Sequence, residues 1–235
     1  MNARSTDDAV ENICDLNWGD LSKDSLTSVA WAYHYFSIQF RENLEIARAL
    51  SPDDESLKEL EAEECRTANL SPWEGVAMPG ERMDHDEFMR RTLTLAPIGP
   101  ERCVVLCAHG RAYLDAVRSL DAHTRAQSIV SYEGGGLERV FCAMLGARDW
   151  QGPLLSAFRH FLAMHLKLDD HHGALVGHLD AGEAAVPLWQ LFRDLLVACV
   201  PDLVSRPVDS REMDRFGASP GATALVLSGL PLAAA

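Results

Sequence analysis

Apolar residues recur three and four positions apart along most of this chain, and no segment alternates with the period of two that a half-buried strand requires. The clearest case is residues 28–50, where Trp31, Tyr35, Ile38, Leu44 and Ala47 predict a core-facing amphipathic helix. Ser51-Pro52-Asp53-Asp54 ends it and caps a second helix reaching about residue 69. Two prolines and two glycines make residues 70–80 a loop, and a third helix is expected from about Met83. After a break at 97–100, helical patterning covers 102–120 with an extension to Ile129. It resumes at 133–145 behind a glycine run, then at 153–179 as one long helix and at 184–200. The expectation is an all-α bundle of about seven helices with short connections. Residues 1–205 form one domain in this reading, and 206–235, rich in Pro, Gly, Ser and Ala, are an unassigned tail.

Composition narrows the function classes. The net charge of -14, from 35 acidic against 21 basic residues, repels phosphate backbones and anionic headgroups, so no nucleic-acid or membrane partner is expected. Part of that acidity, Asp53-Asp54-Glu55 and Glu59 through Glu64, reads as a solvated helix face. No stretch has the roughly 20 uninterrupted apolar residues of a membrane span, and the first residues do not read as an export signal. The six cysteines show neither Cys-x-x-Cys pairs nor disulfide spacing and read as small core residues, which fits a reducing cytoplasm.

The segment richest in chemistry is 160–178, which holds His160, His165, His171, His172 and His178. At about 100° per residue, His165, Asp169 and His172 (i, i+4, i+7) fall within roughly 60° of one another on a helix, whereas Asp170 and His171 point elsewhere. Two imidazoles and a carboxylate on one buried stripe need a shared partner to offset their desolvation, and a metal ion is one. A nitrogen and oxygen donor set without thiolate suits iron, manganese or zinc. Further carboxylate and imidazole candidates are Glu74 and Glu81 around the Gly/Pro loop, His85 at the start of the third helix, and Glu133 ahead of the fifth.

In order and spacing these residues resemble the heme-oxygenase-like diiron oxidases, whose last metal-binding helix carries H-x3-D-x2-H, here His165, Asp169 and His172. The family's upstream N-x3-E-x-G and H-x2-F elements are similar to Asn69 through Gly75 and to His85-Asp86-Glu87-Phe88. Its bridging glutamate is similar in position to Glu133 of Ser131-Tyr132-Glu133. The likeness spans about residues 30–180. It implies a heme-oxygenase-like bundle with Glu74, His85, Glu133, His165, Asp169 and His172 as ligands to two iron ions. Glu81, one helical turn before His85, competes with Glu74, which is favoured because Pro79-Gly80 would leave Glu81 at a helix start.

The resemblance further implies an enzyme that activates dioxygen to oxidise a small molecule, such as an amino acid or derivative, by N-oxygenation, desaturation, decarboxylation or carbon–carbon cleavage. An electron donor and a homodimer are compatible with it. The alternatives are a metal-independent enzyme on the same fold, similar to the thiaminase-like or pyrroloquinoline-quinone-completing enzymes, and a non-enzymatic helical binding module. Cys142, the candidate nucleophile for the former, sits in an apolar helical stretch and reads as core. A ferritin-like centre would need Glu-x-x-His twice, and no Glu here has His three residues later.

Overall fold

The computed structural model describes residues 5–167 and 183–204. Among these the chain is an all-α bundle; the only β pairings are the isolated bridges Thr67–Met83 and Trp73–Ala77. The helices are α1 (Thr6–Cys14), α2 (Lys23–Leu50), α3 (Glu55–Glu64), α4 (His85–Thr94), α5 (Pro100–Arg118), α6 (Ala122–Ser131), α7 (Leu137–Leu145), α8 (Pro153–His165) and α9 (Val186–Cys199). A π-helical segment, Tyr132–Gly136, joins α6 to α7. Among the described residues no helix is long and apolar enough to cross a membrane. The tail from 206 onward lies outside the described residues, and so do Asp169 and His172.

The central element is α2, which packs against α3, α4, α5, α6, α8 and α9. Ser22 caps it by accepting from the Ser25 amide. Its buried stripe is Leu26, Val29, Tyr33, Phe36, Phe40, Leu44 and Ala47. Trp31, Tyr35 and Ile38, expected to face the core, flank that stripe instead and are half-buried. With neighbours on so many sides, helical periodicity alone does not separate the middle of the apolar face from its edges. The short α1 was not anticipated. Ser5 caps it, and it buries Ala9, Val10 and Ile13 on the side of α7 and α9. Cys142, expected in the core, is exposed on the outer face of α7.

One long helix was expected over 153–179, but α8 is capped at Leu166, and the Lys167 amide bonds back to the Met164 carbonyl in a tighter turn. The second helix also stops short of residue 69: Cys65 is extended and Arg66 takes a positive φ of 48°. A left-handed conformation at an L-residue breaks the i→i−4 ladder.

A polar seam ties α2 to α5 and α6. Asn43 donates to Ser128 (3.0 Å) and accepts from Arg125 (2.8 Å), while Glu42 accepts from Arg125 (3.0 Å) and Arg118 (2.6 Å). Tyr113 and Tyr132 both donate to the Gln39 carbonyl oxygen (2.9 and 3.3 Å). Burial pushes the Glu42 carboxyl up, but hydrogen bonds and charge from Arg118 and Arg125 more than reverse this and hold it below its ordinary value. The stabilisation it gives is therefore complete above the unfolded carboxyl range and is lost as pH falls through the lowered folded value. Glu42→Gln should cost about 1–2 kcal/mol at neutral pH. Because the wild type loses this ion pair on acidification, the gap between the two proteins should narrow toward low pH in urea melts; a gap that is constant with pH would contradict the assignment.

Candidate metal centre

Three helix ends meet at one point in the core. Glu64 is the last residue of α3, and it lies on the same face as Leu57 and Leu60 (i, i+3, i+7), so the stripe that buries the leucines also turns its carboxylate inward. Only 6% of it is exposed. The loop that follows returns at once: Thr67 and Met83 exchange backbone hydrogen bonds of 3.1 and 3.0 Å, and the Arg66 amide donates to the Asp84 carboxylate at 2.9 Å. Asp84 is the residue preceding α4, so this clasp brings the first residue of α4, His85, against the last of α3. His165 ends α8 and is 8% exposed.

The ligating atoms converge. His85 Nδ1 lies 2.7 Å from a Glu64 carboxylate oxygen and 3.3 Å from His165 Nε2. Glu64, His85 and His165 each offer one donor atom, all within 4.8 Å of one another. His165 Nδ1 is 2.9 Å from the Phe161 carbonyl, which can only accept, so Nδ1 carries the proton and the Nε2 lone pair faces the cluster. This is the tautomer a metal-binding imidazole requires. The rings are held by Phe161, whose centroid is 4.1 Å from that of His165 and 5.7 Å from that of His85.

A cavity of about 20 Å³ opens beside these groups, with Glu64, His85, His165, Glu133 and Ser37 among its lining and Tyr33, Phe36, Phe40, Leu137 and Phe141 as apolar walls. That is room for one water-sized body. Glu133 reaches it from the π-helical segment and is 8% exposed. There the Gly134 and Gly135 backbone leaves helical geometry, and Gly135 has a φ of 96° that L-residues avoid. Gly136 is needed for a different reason: a Cβ there would stand 2.5 Å from the Ser131 carbonyl oxygen and 2.7 Å from the Trp189 ring.

Of the sequence-derived candidates, His85 and His165 are in the cluster and Glu133 lines its cavity. Glu74 is not brought there. It is exposed, in the turn closed by the Trp73–Ala77 bridge. Glu81 is engaged elsewhere, accepting from the Met78 amide at 3.0 Å and from Arg91 at 2.7 Å, and sits in the loop rather than at the helix start. The carboxylate that meets His85 is Glu64, which had been read as part of a solvated face; its place on the Leu57/Leu60 stripe was the signal that could have found it. Beside it, burial and, next, the Glu64 charge push the Cys65 thiol up to about 12, and its sulfur is not among the clustered ligand atoms. Of the arginines considered as substrate anchors, Arg41 is tied to Glu45 and Asp86, and Arg118 to Glu42.

Comparison with protein families, with curated proteins and with solved structures found no match for this chain.

The glycines that follow Glu133 give a direct test of the packing here. Gly136→Ala should destabilise the protein by about 1–3 kcal/mol through overpacking against Ser131 and Trp189. Gly134→Ala, with open space at its Cβ and a negative φ, should change stability little. Urea unfolding of the two variants side by side reads the difference, and equal effects would refute the packing argument.

Proposed function

We propose that this chain is a non-heme iron oxidase that uses two iron ions and dioxygen to oxidise a small molecule, such as an amino acid or derivative. The observation that supports it most is the convergence of the Glu64 carboxylate, His85 Nδ1 and the His165 Nε2 lone pair at one buried point. Without a cation the three share protons in a space where burial penalises any net charge, so the donor set suits a positive ion. Nitrogen and oxygen donors with no thiolate favour iron, manganese or zinc.

Glu64, His85 and His165 would hold the metal, with Glu133 as the carboxylate nearest to a second position. Asp169 and His172, expected from the H-x3-D-x2-H spacing, would complete the set. Iron bound there supplies the electrons for dioxygen activation. The chain's own contribution is different. The paired carboxylates balance cationic charge, the Phe161 carbonyl fixes the His165 tautomer, and the walls formed by Tyr33, Phe36, Phe40 and Phe141 keep bulk water from the reacting groups.

A second reading has its own observation. The 2.7 Å contact between Glu64 and His85, extended to His165, is also the arrangement of an acid–base relay, as a metal-independent enzyme on such a bundle would need.

Iron loading separates the two. Protein loaded anaerobically with Fe(II) should take up about two ions per chain and consume dioxygen on exposure. Glu64→Gln and His165→Ala should lose at least one of those ions, whereas Glu74→Gln and Glu81→Gln should retain both. Uptake unaffected by Glu64→Gln, or no iron uptake at all, would overturn the proposal, and the latter would leave the relay reading in place.

A further inference from the structure

His85 and His160 each have a buried ring nitrogen, Nε2, with no hydrogen-bond partner among the described residues. Both residues line the same small cavity, distinct from the one described above, together with Asn69, Leu70, Ser71, Phe88, Phe161, Met164 and His165. His85 Nδ1 is turned to Glu64, so Nε2, across the ring, faces away from that carboxylate. His160 is fixed from outside by Trp73, which lies against it with a centroid separation of 4.8 Å. Buried polar atoms are mostly satisfied, and of the six side-chain atoms left without a partner among the described residues, these two belong to residues that line one cavity. Its volume is about 10 Å³, close to what one water occupies, and the hydroxyl of Ser71 stands at the same wall.

We propose that His160 is a positioning residue for the candidate metal centre, acting on His85 through one buried water that bridges the two Nε2 atoms. This rests on the metal reading above for its purpose, though not for its geometry. A metal-binding imidazole needs a hydrogen-bond partner on its other nitrogen to fix ring orientation and tautomer. His165 has the Phe161 carbonyl for this, whereas His85 has no such group among the described residues. A water suits the place better than a carbonyl would. When Nδ1 donates its proton to Glu64, Nε2 is an acceptor and the water donates to it. When a cation takes the place of that proton, Nε2 carries N–H and the same water accepts. His160 serves either orientation. Burial holds its imidazole below the usual histidine range, with Lys167 acting in the same direction, so it is neutral and offers either a donor or an acceptor through its two tautomers.

Two substitutions test this in the full-length chain. His160→Phe keeps the ring against Trp73 and removes the nitrogen, while His160→Gln keeps a group able to hold the water. Fe(II) affinity, measured by competition with a chelator, should fall about 10- to 100-fold in His160→Phe and recover largely in His160→Gln. A second measurement needs no metal: in the ¹⁵N spectrum of the metal-free protein, the His85 Nε2 resonance should move in His160→Phe and return in His160→Gln. An unmoved resonance in His160→Phe overturns the proposal, as does equal loss of iron in both variants. If the wild type takes up no iron but the resonance moves and returns as described, the bridge stands and the metal reading fails.

Discussion

A carboxylate 6% exposed among aromatic rings is the feature on which the rest of the centre depends. Burying a carboxylate carries a desolvation cost of several kcal/mol unless partners offset it, and His85 at 2.7 Å is one such partner. Helix packing alone asks only for an apolar residue on the Leu57/Leu60 stripe, so a carboxylate there has to be matched by polar partners. Residues of this kind are found where function needs them. His85 shares the logic, with one nitrogen on Glu64 and the other buried without a partner among the described residues.

The means of placing it is local. Each of the three clustered side chains sits on the terminal residue of its helix: Glu64 closes α3, His85 opens α4 and His165 closes α8. Helix ends let a side chain reach a shared point without forcing three helix bodies into close approach. They also put the centre at the mercy of the connections, and these are tightly specified. The Thr67–Met83 clasp and the Arg66 amide on Asp84 set the distance between Glu64 and His85. Arg66, with its positive φ, makes the turn that allows the clasp.

Much of this was legible in the chain and some was not, for definable reasons. The helical periodicity of 28–50, the break at Pro52 and the Pro at the start of α5 gave the bundle, because those signals are local. His165 was singled out by helical spacing and His85 by the resemblance of His85 through Phe88 to an H-x2-F element. Glu64 was passed over because it ends an acidic run with Glu59, Glu61 and Glu63 that suggested a wet face, and a charge run hides the one member that shares a stripe with leucines. Glu74 was preferred because the loop spacing fitted, yet a loop's path depends on pairings such as Trp73–Ala77 that no periodicity announces. The cap of α8 at Leu166 is equally silent, since nothing between His165 and Lys167 is a helix breaker.

The three glycines after Glu133 carry the argument further than the clustered ligands do. In a helix interior they would cost roughly 1 kcal/mol each relative to alanine, which makes them a poor way to continue α6 into α7. They cease to be poor once the segment is a kink between two helices. Gly135 takes a left-handed φ, and Gly136 lets the Trp189 ring and the Ser131 carbonyl approach its backbone. Trp189 in turn donates to the Ser131 hydroxyl at 2.8 Å, which pins α9 to the residue before the π-helical segment. Glu133 thus enters the cavity at the last position before the backbone leaves helical geometry, and the Trp189–Ser131 hydrogen bond ties α9 to that end of α6.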